Sequence, residues 1–372
     1  MASVNKQSLL PRYVQARRYL EELIRREGLG PGDQLPSERE LSEEFRVSHM
    51  TMNRAIQEMV RDRLLTREVG RGTFVVRLDA RAPHLGALGL VSLVNAGEIK
   101  ADTYAGGILR GAHTAALETG WDLVLIQEAL EYPAGVSARL AGRANGFLIV
   151  SSPDDAIPTL RHLRDEGTPF LSVGSSWLDE DIPAVDSDNI LGSDLAVGHL
   201  ASLGHTRIGL IGAPEYRSNA RDRRVGFEAA LNARGLPFSR RWNVPCPGEA
   251  HVSDDEREQI VAIARAPDGP TAFVAAGYLL AVITIEALGN AGLSVPNDVS
   301  VVGFDDKVSA AFLSPALTTV AQPLEEMGFR AVKRLEGIVR GEPAGGVERL
   351  PTSLVVRESA GPAPKSVARL AP

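Results

Sequence analysis

From Gly86 onward, short apolar runs alternate with helix-length segments, and this alternation limits the possible folds more than any other feature of the chain. Strands are predicted over 86–94, 122–127, 146–151, 169–173, 207–211, 271–275 and 299–304. Helices are predicted over 104–119, 155–166, 191–203, 220–234, 253–265 and 279–291. Near-continuous apolar strands interleaved with helices predict parallel sheets covered on both faces. About 275 residues exceed what one such sheet usually needs, so two α/β lobes are expected. In such a fold a ligand lies between the lobes, at the C-terminal ends of the strands.

The N-terminal part follows a different period. A helix over 13–27 puts Ala16, Leu20, Leu23 and Ile24 on one face, and the glycines from Gly28 to Gly32 stop it. The run from Leu35 to Val75, LPSERELSEEFRVSHMTMNRAIQEMVRDRLLTREVGRGTFV, then reads as helix, turn, helix and β hairpin. Ser37 and Glu40 are spaced for a capping box, and Ser48 is a good N-cap for the next helix. In that helix Met52, Ala55, Ile56, Met59 and Val60 form a buried stripe, while Met50, Arg54, Gln57 and Arg61 fall opposite. Ser48, His49 and Thr51 occupy its exposed N-terminal end. A helix of this kind suits the DNA major groove, where its first turns meet phosphates and base edges. Arg71, at the Gly70-Arg71-Gly72 tip of the hairpin, is placed to enter a minor groove or touch a phosphate. The same two helices and hairpin also occur in folds that bind no DNA.

Charge distribution bears on that choice. The chain carries a formal net charge of −7 over 372 residues. Up to Ala80, 14 Lys and Arg stand against 12 Asp and Glu, whereas the remainder is strongly acidic. A mildly basic head on an acidic body fits a protein that meets nucleic acid only through its head. Cys246 is the single cysteine, which excludes an intrachain disulfide and a Cys-rich metal site. No signal-like N-terminus and no apolar run of about 18 residues is present, so a cytoplasmic protein with no membrane partner is expected. His199 and His205 read as structural, and no Ser/His/Asp, Glu-pair or His-cluster spacing points to catalysis. No catalytic residue, metal or cofactor is expected.

The run PGDQLPSERELSEEF followed by VS, T, RA, L and GRGTFV at fixed spacing, from Pro31 to Val75, resembles the DNA-binding domain of the GntR family of bacterial transcription regulators. The resemblance implies a winged helix-turn-helix in which Arg39, Thr51 and Arg54 contact DNA, with the wing at Gly70 to Thr73. Together with the residues above, the candidate DNA-binding set is Arg39, Ser48, His49, Thr51, Asn53, Arg54, Arg71 and Gly72. The chain departs from the family at His49 and Asn53, where Arg is usual. Further on, VDSDNILGSDLAVGHLASLGHTRIGLI (185–211), Arg223-Arg224-Val225-Gly226-Phe227, VPNDVSVVGFDD (295–306) and SPALTTV with Gln322 resemble the effector-binding domain of the LacI/GalR family, which is related to periplasmic sugar-binding proteins. A GntR-type head on such a body resembles arabinose-type repressors.

The domain boundaries expected are a head over 1–76, a linker over 77–86, a two-lobed effector and dimerisation domain over 87–358, and a disordered tail over 359–372. The resemblance implies that Arg223 bonds sugar hydroxyls or a carboxylate, and that Asp305 and Gln322 line the cleft. Gly277-Tyr278 stands where sugar-responsive relatives carry Asn-Asp. Tyr278, Trp177 and Asn95, with Glu98 beside the last, are therefore candidates to compensate. The expected function is that of a repressor. A homodimer would bind an inverted-repeat operator in double-stranded DNA, and a small molecule, a sugar or sugar derivative, would control it. Two alternatives stay open: a regulator with a non-carbohydrate ligand or partner-protein control, and an enzyme fused to a DNA-binding head. The second needs a cofactor lysine, and Lys100, Lys307, Lys333 and Lys365 sit in no recognisable site.

Overall fold

The computed structural model describes residues 11–61, 64–68, 70–76, 86–92, 103–127, 135–213, 215–247 and 252–364. The head consists of α1 (Arg12–Arg26), α2 (Glu38–Phe45), α3 (His49–Arg61) and an antiparallel hairpin, β1 (Leu65–Glu68) and β2 (Gly72–Val75). The predicted apolar faces meet in one core: Ala16, Leu20, Leu23 and Ile24 of α1, Leu41 and Phe45 of α2, and Met52, Ala55, Ile56 and Met59 of α3. Tyr19 stacks on Phe45 with ring centroids 4.5 Å apart. The capping box forms as expected, the Ser37 N–H donating to Glu40 Oε2 at 2.8 Å and the Glu40 N–H to Ser37 Oγ at 3.3 Å. Arg46 ends α2 in the left-handed region, and the Thr51 N–H donates to Ser48 Oγ at the start of α3.

The body has two lobes of similar plan. The first contains β3 (Gly86–Ser92), α4 (Tyr104–Thr119), β4 (Trp121–Gln127), α5 (Val136–Leu140), β5 (Gly146–Val150), α6 (Ile157–Asp165), β6 (Phe170–Val173) and β7 (Ala184–Ser187). The second contains α7 (Asn189–Ser202), β8 (Ile208–Gly212), α8 (Ser218–Ala233), β9 (Asn243–Pro245), α9 (Asp254–Arg265), β10 (Ala272–Ala275), α10 (Tyr278–Asn290), β11 (Ser300–Phe304) and β12 (Thr318–Ala321). The chain then returns to the first lobe for α11 (Leu324–Val339) and β13 (Val347–Leu350), and ends in the second with β14 (Ser353–Val355). The first sheet runs β13-β7-β6-β5-β3-β4, all parallel; the second runs β14-β12-β11-β10-β8-β9, parallel except for β14. Each sheet is covered on both faces, as the apolar strands predicted.

Glycines make one of these packings possible. A Cβ on Gly111 of α4 would lie 1.7 Å from the Glu325 carbonyl oxygen, and one on Gly328 of α11 would lie 2.0 Å from the Ile108 oxygen. The two helices therefore cross at backbone contact, which fixes the returning helix onto the first lobe.

Three chain crossings join the lobes, after β7, after β12 and after β13, and they lie side by side. The Asp188 N–H donates to the Leu350 carbonyl at 2.7 Å, and Thr352 Oγ1 donates to the Asp188 carbonyl at 3.2 Å. Such a bundle is a hinge at one edge of an interlobe cleft.

One boundary expectation changes. The tail does not begin at 359: Ser359 is fully buried, donating to the Val301 carbonyl at 2.6 Å and accepting the Thr318 N–H at 2.8 Å. Those bonds hold the chain onto β11 and β12, and the ordered body continues to residue 364. The linker expected over 77–86 lies outside the described residues except for Gly86, which opens β3.

Candidate nucleic-acid interface and effector cleft

On the head, the outer face of α3 carries Met50, Asn53, Arg54 and Gln57. Arg54 lies 4.0 Å above the Tyr13 ring and 3.9 Å from Glu58. Arg39, whose side chain is 85% exposed, pairs with Glu43 one turn on. Ser48 and Thr51 bond to each other through their hydroxyls at 2.7 Å. The wing tip is pinned from behind, where Gln34 Nε2 donates to the Arg71 carbonyl at 2.6 Å. Gly72 holds φ 128°, which favours glycine, and a Cβ there would press on that amide at 2.5 Å. Arg71 reaches outward, paired with Glu68 and 5.5 Å from the Phe74 ring. Glu38, at the start of α2, gathers Arg67 on one oxygen and, on the other, Asn53 at 3.0 Å and His49 at 3.5 Å. The eight predicted DNA-binding residues thus lie on α3 or just before it (Ser48), on the exposed side of α2, or at the wing tip.

In the body, Arg223 of α8 is the centre of a polar chain that spans the hinge. It is 3% exposed, with its guanidinium 3.8 Å over the Phe304 ring. Its Nε donates to Asn189 Oδ1 at 2.8 Å and its Nη1 to the Ala276 carbonyl at 2.6 Å, and Asp305 stands 3.8 Å from its Nη2. Gln322 Nε2 donates to that same Asp305, and Gln322 Oε1 accepts the Ser187 hydroxyl. One continuous chain therefore runs from the end of β7 through a crossing residue to the end of β11 and into α8. Asp305 holds φ 71° and Ser151, after β5 in the other lobe, holds φ 53°. Left-handed backbone at non-glycine residues concentrates where sites are built.

The first lobe supplies the opposite wall. Asp186 is buried, accepting the Ser176 hydroxyl and the Ser187 N–H, each at 2.8 Å. Burial drives its pKa up to about 6 against those bonds. Tyr104 presents a buried hydroxyl that lies beside Ser151 without a properly formed hydrogen bond to any described residue. Burial raises its pKa well above the phenol range, and Asp186 and Asp305 add to the shift while Arg223 opposes it. A Cβ on Gly174 would fall 2.0 Å from that hydroxyl, so glycine there leaves the space the ring needs.

A second set of bonds closes the cleft along its rim. Asp154 of the first lobe takes Trp177 Nε1–H at 2.8 Å and, from the second lobe, the guanidinium of Arg221. The Asp154 N–H donates to the Tyr216 carbonyl at 3.0 Å, Arg217 Nη1 to the Ser151 carbonyl at 3.2 Å, and the Ser176 N–H to Ser218 Oγ at 3.1 Å. Arg349 of β13 reaches Asp222 of α8 at 3.1 Å. This arrangement is the closed form of the two lobes.

Of the predicted effector residues, the structure brings Arg223, Asp305 and Gln322 together. Trp177 is placed in the rim, buried against Asp154. Tyr278 lies two residues beyond the carbonyl that Arg223 holds, buried in the core of the second lobe with Lys307 5.0 Å above its ring. Asn95 lies outside the described residues. Tyr104, Asp186, Ser187 and Asn189 were not predicted as site residues. Asn189 had the visible signal of an Asp-Asn pair between a strand and a helix; the others had none. His205 is structural as expected, fully bonded to Thr271, Ser300 and Gly361. Among the described residues no His/Cys/Asp/Glu group is arranged to hold a metal, and no helix is long and apolar enough to cross a membrane.

A winged helix-turn-helix joined to a hinged two-lobed body defines a class, that of DNA-binding proteins with a ligand-binding fold attached. Residues 12–75 match the family described as bacterial regulatory proteins, gntR family, and residues 197–360 match a periplasmic binding protein-like domain. The arabinose metabolism transcriptional repressor of Geobacillus stearothermophilus is 27% identical over 350 residues, 89% of this chain and 92% of that one. The HTH-type transcriptional regulator CelR of Thermobifida fusca is 31% identical over 277 residues, 73% of this chain and 80% of that one. A solved CelR–cellobiose complex superposes with a TM-score of 0.64 at 28% identity, covering 84% of this chain and 90% of that one. The chain belongs to the bacterial transcription regulators that couple a GntR-type DNA-binding domain to a LacI/GalR-like, periplasmic-binding-protein-like domain. It is a DNA-binding transcription regulator.

Proposed function

We propose that this regulator is a repressor whose hold on its operator is controlled by a polyhydroxy small molecule, a sugar or sugar derivative, bound between the lobes. The observation that carries the reading is the chain Ser187–Gln322–Asp305–Arg223, which joins both lobes across the hinge. Carboxylate, amide and guanidinium groups at one point offer the mixed donors and acceptors that adjacent hydroxyls need. The names of the relatives support the same class, one a repressor of arabinose metabolism and one solved with cellobiose. Arg223, Asp305 and Gln322, with Tyr104 from the opposite wall, are the ligand contacts of this reading, and Tyr278 and Trp177 shape the cavity from behind. Arg39, Ser48, His49, Thr51, Asn53, Arg54, Arg71 and Gly72 form or support the DNA face.

The working form is a homodimer on an inverted-repeat operator, acting in the cytoplasm. Support comes from exposed apolar side chains on both lobes, Leu117, Val124 and Leu125 on the first and Val308 and Phe312 on the second. A dimer that uses both lobes feels any change in the angle between them. It passes that change on as a different spacing of the heads. The test is a thermal-shift screen of the full chain against pentoses, hexoses, uronic acids, disaccharides and nucleosides, followed by gel shifts on the DNA flanking its own gene. A rise of several degrees with one sugar, together with altered DNA retention, is expected. A rise confined to nucleosides, or none at all, would overturn the carbohydrate reading and favour the alternative suggested by Tyr278, a non-carbohydrate ligand or a protein partner.

A further inference from the structure

We propose that Asn53 reads an adenine in the operator half-site, and that Glu38 is the positioning residue that turns its amide for the task. The proposal rests on the operator-binding reading above and adds the chemistry of the base read. A carboxylate only accepts hydrogen bonds, so the side chain that meets Glu38 Oε2 at 3.0 Å must do so with its NH2 group. The Asn53 amide is thereby locked in one of its two orientations. Glu38 is itself held in place, its other oxygen by Arg67 of β1, with the same Oε2 facing His49 at 3.5 Å. One amide hydrogen is committed to Glu38. The amide oxygen and the second N–H remain.

That residual pair, an acceptor beside a donor, matches the major-groove edge of adenine, where the N6 amine donates and N7 accepts. Guanine presents two acceptors on that edge, and its O6 would face the amide oxygen. The neighbouring side chains strengthen the assignment. Met50 is 83% exposed one turn before, an apolar group on the reading face where the thymine methyl is the apolar group of the groove. Gln57, one turn after Asn53, is also exposed and neutral. Arg54 leans over the Tyr13 ring and Arg67 pairs with Glu38. The strip formed by Met50, Asn53 and Gln57 is neutral and suited to A·T pairs, with positive charge at its margins in Arg39, Arg54 and Arg71.

The full-length protein is used to select duplexes from a randomised pool, and the enriched half-site is then tested one base pair at a time. An adenine is expected at one position where replacement by guanine weakens binding about ten-fold. Replacing that adenine by purine riboside, which lacks the N6 amine, should cost a similar factor in the wild type and nothing in Asn53→Ala. Asn53→Arg should move the preference at that position to guanine. Glu38→Gln, which lets either end of the amide face the groove, should flatten the preference there while leaving other positions selective. Guanine at the Asn53-dependent position, or a preference that survives Asn53→Ala, overturns the proposal. A pool that yields no enriched sequence overturns the operator-binding reading itself, and this proposal with it.

Discussion

Replacing Asp186 by Asn should stabilise the protein at neutral pH, although the carboxylate it removes is buried and makes two hydrogen bonds. Asp186 has a pKa of about 6 against an ordinary value of 3.8, because burial disfavours the charged form more than the Ser176 hydroxyl and the Ser187 N–H favour it. A shift of about 2 units corresponds to about 3 kcal/mol. The sign follows from proton binding. Between pH 3.8 and about 6 the folded state holds more protons than the unfolded state, so stability falls as pH rises through that window. Above about 6 the whole penalty is present. Asn carries no charge, so it escapes the penalty while its oxygen still accepts the Ser187 N–H. Its NH2 group reaches Ser176 with the donor direction reversed, at a loss of about 1 kcal/mol for the rearranged bond. Urea unfolding should therefore find Asp186→Asn more stable by about 2 kcal/mol near pH 8, with the advantage gone near pH 4.5, where the wild-type penalty has dropped to about 1 kcal/mol. A variant less stable than wild type by the same amount at both pH values would refute the argument, because it would mean that the charge is held by Arg223 and is not stranded by burial.

Arg223→Ala takes the cation away from Asp305 and from over the Phe304 ring and leaves Asn189 Oδ1 and the Ala276 carbonyl without their donor; unfolding should show a loss of about 3 kcal/mol, and any sugar-induced rise in melting point should vanish. Asp154→Ala leaves the buried Trp177 Nε1–H without its acceptor and frees Arg221, so tryptophan emission should shift to the red as the rim opens, while an unchanged spectrum would mean that Asp154 does not hold the rim. Arg39→Ala removes an exposed residue with one surface ion pair; stability should stay within about 0.5 kcal/mol, but operator affinity should drop and the slope of its salt dependence should fall by about 1. Tyr104→Phe deletes a buried hydroxyl that has no well-formed bond in the closed form, so the ligand-free protein should gain about 1 kcal/mol while ligand affinity falls about ten-fold by titration calorimetry.

The α/β plan was legible because buried strands such as Gly146–Val150 and, after its first residue, Ser300–Phe304 are apolar without interruption. The crossings were not. β7 reads AVDS and β14 reads SLV, too short and too polar to carry a period, and their pairing with β6 and β12 is decided by the fold around them. The head was readable almost to the atom, since a capping box is local: Ser37 and Glu40 are three residues apart, and nothing distant alters their geometry. In the cleft, by contrast, Arg223 was visible through its place in R-x-x-G-F, whereas Tyr104 and Asp186 acquire their roles only where several strand ends converge. The setting of Trp177 was hidden for the same reason, because an apolar loop residue cannot announce that Asp154, 23 positions earlier, will take its N–H. The tail misled through composition. Gly-Pro-Ala-Pro looks unstructured, yet Ser359 just before it satisfies the backbone of two strands.

The closed cleft also explains why these polar residues need a competitor as well as a ligand. Gln322 already links Ser187 to Asp305 and Arg221 already bonds Asp154, so the closed form is held by the chain's own groups, while Arg223 is already committed to Asn189 and Ala276 within the second lobe. A ligand that merely replaces those bonds one for one gains nothing, because each hydroxyl it brings displaces an equivalent protein partner. To move a population from about 1:99 to 99:1 it must favour one state by about 5.5 kcal/mol. That surplus has to come from groups the closed protein leaves poorly satisfied and from apolar surface it leaves uncovered. Tyr104 is such a group, since its hydroxyl is buried beside Ser151 with its bond unmade. On the proposed reading, specificity for a ligand resides less in the strong cluster around Arg223, which any hydroxyl array can meet, than in the opposite wall, where one unmade bond rewards a single placement of one oxygen.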